Sequence, residues 1–255
     1  MARVFITGSS DGLGLMVAQL LVEQGHRVVL HARNADRRDA AATALPTAEA
    51  LLVADVSSLA ATKQLAAQAN ELGRFDAVVH NVGVGFREQH VVTADDLSRL
   101  WAINVLAPYV LTALMTRPSR LIYLSSGMHN QGAASLDDPQ WQTRSWNPSQ
   151  AYSDSKLQDV LLAFAVARRW PNVAVNAMTP GWVKTRMGGE NAYDDLDQGH
   201  RTQAWLAVSD DAAARSSGGF YYHLKPGKLN PAANDVRLQD ALIQLCEATS
   251  GIALA

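Results

Sequence analysis

A single cysteine, Cys246, is all that the 255 residues contain. No intramolecular disulfide can form, so the chain suits a reducing cytoplasm, where it is expected to reside. Cys246 lies in an apolar C-terminal stretch and reads as a small core residue sooner than a nucleophile. Excess charge of one sign is also lacking: 22 Lys and Arg stand against 24 Asp and Glu, scattered along the chain. Without a basic face, neither nucleic acid nor an anionic membrane is an expected partner, and a small molecule is the default. No apolar run approaches a membrane span, and no signal-peptide run precedes the first strand at Ala2 or Arg3. Internal repeats and low-complexity tracts are missing. The seven histidines show no ligand spacing, so no metal is implied.

What the chain does have is alternation. With 48% hydrophobic residues it can bury a sizeable core in one α/β domain. Val4-Phe-Ile6, a helix from about Leu13 to Gln24 stopped by Gly25, and Val28-Val-Leu30 read as a βαβ unit. Leu51-Leu-Val53, Ala77-Val-Val79, Leu121-Ile-Tyr-Leu124 and Val173-Ala-Val175 continue as buried strands. Helices are expected near 58–72, 94–115 and 151–169. Gly219-Phe-Tyr-Tyr-His223 reads as a last strand and Val236 to Cys246 as a closing helix. The pattern predicts a parallel sheet with helices on both faces. Two stretches interrupt it, near 127–150 and 188–200. Their composition is that of long surface loops, and both follow strand C-termini, the edge where open α/β sheets bind ligands.

Thr7-Gly-Ser-Ser-Asp-Gly-Leu-Gly14 joins the first strand to the first helix. Gly8, Gly12 and Gly14 would let the backbone approach a pyrophosphate held at the helix N-terminus, although a plain glycine-rich turn has the same composition. The end of the second strand, His31-Ala-Arg-Asn34, lacks the acid that would bind ribose hydroxyls and offers Arg33 to a 2′-phosphate. That favours NADPH over NADH, while the anion Asp11 inside the turn argues the other way. Asp55, after the third strand, suits an adenine contact or, as readily, a cap for the helix starting near Ser57.

Tyr152 and Lys156 stand four apart in Ala-Tyr-Ser-Asp-Ser-Lys. On a helix they share one face, where an ammonium would stabilise the ionised form of a phenol whose ordinary pKa is about 10. The phenol could then give or take a proton near neutrality. An isolated pair of this kind is usually ordinary helix surface.

Together, and in this order, the glycine turn, the Tyr-Lys pair and Pro180-Gly-Trp-Val-Lys-Thr185 resemble the motifs of the short-chain dehydrogenase/reductase family, from Ala2 to about Met187. Ser125-Ser-Gly-Met-His129, the long gap before Tyr152 and Ser155-Lys-Leu157 look most like its retinol dehydrogenase and carbonyl reductase-like branch. The resemblance implies an α/β, single-domain Rossmann fold over 1–255, with a doubly wound parallel sheet of about seven strands and helices on both faces. It implies carbonyl–alcohol interconversion by hydride transfer, with Asn104, Ser126, Tyr152 and Lys156 as the catalytic set. Ser126 is matched in preference to its neighbour Ser125. Cofactor contacts are implied at Gly8, Ser10, Asp11, Gly12, Leu13 and Gly14; at Arg33 and Asn34; at Asp55 and Val56; at Asn81 and Gly83; at Tyr152 and Lys156; and at Pro180, Gly181, Val183 and Thr185. NADPH is the expected cofactor and NADH the alternative. The family's Asn-Asn-Ala-Gly appears here as His80-Asn81-Val82-Gly83, and Asp11 replaces the family's basic residue. The family often pairs through the helices holding Asn104 and Tyr152, which leaves a homodimer or homotetramer open.

Phe86, Met128, His129, Trp141, Trp146, Trp182, Tyr193 and Trp205 are candidates to wall a pocket for a bulky apolar ketone, aldehyde or alcohol, or else to pack beneath the loops. Two other classes compete. A catalytically silent dinucleotide sensor would keep the turn without needing the Tyr-Lys pair. A nucleotide-sugar epimerase or dehydratase shares that pair but has a different glycine spacing and a larger C-terminal domain.

Overall fold

A computed structural model of the protein describes every residue except Glu88. Among the described residues eight strands form one sheet: β1 (Arg3–Ile6), β2 (Arg27–Ala32), β3 (Ala50–Val53), β4 (Ala77–His80), β5 (Arg120–Leu124), β6 (Ala174–Thr179), β7 (Phe220–Tyr222) and β8 (Lys225–Pro226). Their spatial order is β3-β2-β1-β4-β5-β6-β7-β8. Only β8 runs antiparallel, as a two-residue partner to β7 beyond the expected set of about seven.

Successive strand residues enter opposite layers. Phe5, Val29, Val78, Leu121, Tyr123 and Val175 are buried in one layer, and Val4, Ile6, Val28, Leu30, Val79, Ile122 and Met178 in the other. A strand covered on both faces must be apolar throughout, which is why Val4-Phe-Ile6 and Val28-Val-Leu30 are unbroken runs. The first layer is closed by α3 (Leu59–Glu71), α5 (Ala107–Leu114), α6 (Pro148–Arg169) and α9 (Val236–Ser250), and the second by α1 (Gly12–Glu23), α2 (Ala35–Ala44) and α7 (Leu196–Val208). Two short helices, α4 (Arg99–Trp101) and α8 (Ala212–Arg215), complete the set, together with a π turn (Ala102–Leu106) and 3-10 turns at Gly127–Gln131 and Pro231–Asn234. The chain leaves β1 toward β3 on one side and re-enters at β4 on the other. That reversal opens a crevice at the C-terminal ends of the strands.

Several expected boundaries are corrected. The helix expected near 94–115 begins at Arg99, because 92–98 turns back through a Val92–Ser98 bridge with Asp96 at φ +57°. The strand expected at Val173–Val175 runs from Ala174 to Thr179, carrying its polar Asn176 inside. The loop expected over 188–200 ends at Asp195, which caps α7 by accepting from the Asp197 N–H at 2.9 Å. Helix α2 lies where no element was expected: only Ala41 of its ten residues is buried, so it has no apolar stripe to read.

Candidate active site

The turn after β1 is fastened from two sides. Thr7 Oγ1 accepts from the Asn81 and Val82 N–H groups at 3.0 and 3.1 Å, and Asn81 Nδ2 donates to the Thr7 and Gly8 carbonyls at 3.0 and 2.9 Å. A Cβ on Gly8, which has φ +61°, would lie 2.9 Å from Val82 Cα, and one on Gly14 2.5 Å from Asn81 Nδ2. Only glycine lets turn and strand approach this closely. From the other side His31 takes the Gly8 N–H on Nδ1 at 3.0 Å and meets the Ala54 carbonyl with Nε2 at 2.9 Å. Nδ1 must accept, so Nε2 carries the proton and the ring is neutral. Burial lowers its pKa, against the opposing pull of the Ala54 carbonyl and Asp55.

Arg33 is exposed at the rim of the crevice. Asp11 is bound to Arg37 of α2 at 2.6 Å, so its charge is balanced from outside the turn. Asn34, expected at the cofactor, caps α2 with its side chain by accepting from the Arg37 N–H at 3.0 Å and lies outside the crevice lining. Asp55 also spends one oxygen on backbone, accepting from the Ser57 N–H at 3.0 Å, but it does line the crevice, as does Val56. Arg37 and His31 were not expected at the site. Arg37 belongs to the helix that had no readable pattern, and a polar residue at the buried end of β2 gave no signal of its partner.

At the other end, β5 delivers Ser125 and Ser126 in opposite directions, as strand geometry requires. Both line the crevice, but Ser125 is buried and its hydroxyl is spent on the Lys156 carbonyl at 2.7 Å, while Ser126 is partly exposed and accepts from the Met128 N–H at 3.2 Å. His129 holds this corner: Nδ1 donates to the Ser126 carbonyl at 2.6 Å, Nε2 accepts from the Asn230 N–H at 3.2 Å, and the ring packs on Phe220.

Asn147 starts α6 by accepting from the Gln150 N–H at 3.1 Å, and Pro148 occupies its first turn. Tyr152 and Lys156 follow on the face toward the crevice, with the ammonium 5.8 Å from the phenol ring centre. Lys156 Nζ donates to the Leu124 carbonyl at 2.9 Å and to Asp159 Oδ2 at 2.8 Å. Asn104 sits in the π turn, a distortion common at functional sites, with its amide fully engaged. Its Oδ1 accepts from the Val84 N–H at 2.8 Å, and its Nδ2 donates to the Val84 carbonyl and Ser155 Oγ at 3.1 and 3.0 Å.

The first long loop is tied down. Asp138 accepts from the Gln142, Thr143 and Arg144 N–H groups, and Arg144 reaches Asp154, two residues past Tyr152, at 3.1 Å. Of the candidates to wall a substrate pocket, Phe86, Met128, Trp182 and Tyr193 line the crevice. His129, Trp141, Trp146 and Trp205 do not: Trp141 and Trp146 pack edge to face behind Tyr152, and Trp205 packs against Tyr221. Pro180, Gly181, Val183 and Thr185 line the wall opposite. No helix among the described residues is long and apolar enough to cross a membrane, and no group of three His, Cys, Asp or Glu side chains among them is placed to hold a metal.

A doubly wound sheet with a glycine turn and a Tyr-Lys pair in one crevice at its switch point defines a dinucleotide-fold oxidoreductase. The sequence model of the short chain dehydrogenases matches residues 2–135. An uncharacterized oxidoreductase of Emericella nidulans, AN7799, is 47% identical over 99% of this chain and 98% of its own. Human retinol dehydrogenase 13 is 34% identical over 84% of this chain and 70% of its own. Among solved structures, a Mycobacterium paratuberculosis protein superposes with a TM-score of 0.85 at 26% identity, over 100% of this chain and 95% of its own. The chain belongs to the short-chain dehydrogenase/reductase family, on the side of its retinol dehydrogenase-like branch.

Proposed function

We propose that the protein interconverts a carbonyl and an alcohol on a bulky apolar substrate, using NADPH in preference to NADH. One observation carries the reading: Ser126, Tyr152 and Lys156 border the same crevice of about 1380 Å³ as Gly8, Gly12 and Gly14. The residues fit a nicotinamide dinucleotide. The space over Gly12 is open, Asn81 Oδ1 is buried without a protein partner, and a Cβ on Gly83 would come within 3.4 Å of Lys156 Nζ. Ser10, Asp11, Leu13, Asp55, Val56 and the 180–185 wall would hold such a cofactor, and the cofactor would supply the hydride.

The chain's own groups handle the charge and the proton. As a carbonyl oxygen gains charge, Tyr152 gives it a proton and Ser126 donates a hydrogen bond, both from positions fixed beforehand. Lys156 stabilises the ionised phenol and is held in place before any ligand arrives. Asn104 would keep the π turn open beside Lys156 for proton return. Phe86, Met128, Trp182 and Tyr193 give the substrate end its apolar character. Arg33 at the rim, with Asp11 neutralised by Arg37, favours the phosphorylated cofactor.

The test is turnover of NADPH and NADH against a panel of apolar ketones and aldehydes. Tyr152→Phe is expected to lower kcat at least about a hundredfold while cofactor affinity changes little. Unchanged turnover in that variant would remove Tyr152 from the chemistry. Cofactor binding without turnover of any carbonyl would favour a silent sensor.

A further inference from the structure

Lys156 enters the site with two of its three N–H bonds already given, to the Leu124 carbonyl and to Asp159, and with both partners of the ion pair at most 5% exposed. Asp159 lies one turn beyond Lys156 on α6 and does not line the crevice. A buried ion pair is a poor source of stability, since desolvation consumes most of the attraction and an apolar pair of the same size does as well. Its electrostatic effect on a neighbouring reaction is large for the same reason. The other titratable groups packed nearby are neutral. Tyr123 on β5 and Cys246 on α9 are pushed by burial above their ordinary ranges, and His80 on β4 is lowered to about 3. Asp159 and the Tyr152 phenol are the groups acting on the ammonium, and Lys156 is the group acting on Asp159.

We infer that Asp159 is a positioning residue that fixes the Lys156 ammonium and offsets its charge, and so sets the pH range over which Tyr152 exchanges its proton. The inference rests on the proposed role of Tyr152. Burial raises the Asp159 carboxyl to about 6 against the pull of Lys156. Burial alone would depress the ammonium, but Asp159 and Tyr152 hold it above its usual range. While Asp159 is ionised, the phenol faces an ammonium with its countercharge. With that charge removed, the Tyr152 phenolate is the remaining partner that can hold the ammonium against burial, and its ionisation is favoured.

Asp159→Asn keeps the shape and deletes the charge. In protein without cofactor, the Tyr152 ionisation, read as the near-ultraviolet difference between each protein and its Tyr152→Phe counterpart, should move to lower pH by about one unit or more. The midpoint of the pH–rate profile for carbonyl reduction should move the same way. Asp159→Glu should return both toward wild type, whereas a purely structural role would make Glu as damaging as Asn and leave the midpoints in place. Should Asp159→Asn not fold, Asp159→Ser carries the same expectation. An unmoved or rising midpoint overturns the inference. A wild type that turns over no carbonyl but shows the expected shift without cofactor defeats the functional reading instead.

Discussion

Asp11 and Arg37 form an ion pair at the lip of the glycine turn, with side chains 54% and 26% exposed. Exposed pairs are weak and screened by salt, so a 2′-phosphate arriving beside Arg33 can compete for Arg37. Arg33→Ala is expected to raise the Kd for NADPH about tenfold or more and that for NADH no more than about twofold. Asp11→Asn should release Arg37 and tighten NADPH severalfold at low salt, the gain shrinking as salt rises. Fluorescence titration of both cofactors checks both, and equal losses in Arg33→Ala would show that Arg33 does not read the phosphate. The places of Arg33 and Asp11 at the crevice were legible, because one follows a strand and the other lies within the glycine turn. Asp159 was not: in sequence it is one more polar helix residue, and only the packing of β5 and α9 against α6 makes its charge costly.

Strands β2 and β4 each carry a buried histidine in their last two residues, where no apolar pattern asks for one. His31 braces the glycine turn, and His80 meets Thr112 Oγ1 with Nε2 at 3.0 Å, within a chain that continues to the Tyr123 hydroxyl at 2.6 Å. Both pKa values are lowered by burial, that of His80 to about 3. The fold therefore favours neutral rings while the unfolded chain binds protons near pH 6.5, so their stabilisation is complete above about 6.5 and drains away as pH falls, for His80 down to about 3. Asp159 acts with the opposite sign, since its raised carboxyl takes up a proton in the folded state near pH 6. His80→Phe should thus flatten the loss of thermal stability between about pH 7 and about pH 5, and the reverse result would show that His80 is not held neutral. The strands carrying these residues were legible from their unbroken apolar runs. Helix α2 was not, because it packs through Ala41 alone, and the first turn of α7, Leu196-Asp-Gln-Gly199, has the composition of a loop.

Helix α6 has no free side. From Ala151 to Val166 every residue is buried within one chain, between the sheet on one side and α9 on the other. Leu242, Ile243 and Cys246 of α9 are at most 3% exposed against it. Arg168 and Arg169 both reach Asp240, at 2.6 and 2.7 Å. The segment after α9 continues the cover: the Ile252 carbonyl accepts from the Tyr109 hydroxyl on α5, and the Ala255 carbonyl from Trp170 Nε1, each at 2.7 Å. A dimer built on the α5 and α6 faces would have to displace this cover, and burying Leu242 and Ile243 alone is worth about 1.5–3 kcal/mol each. The protein is therefore expected to run at the mass of one chain in light scattering at micromolar concentration. Truncation before Val236 should expose the α6 face and bring aggregation or pairing together with a fall in melting temperature. A stable wild-type dimer whose α6 amides are protected from hydrogen exchange only when paired would show that α9 leaves that face to a partner.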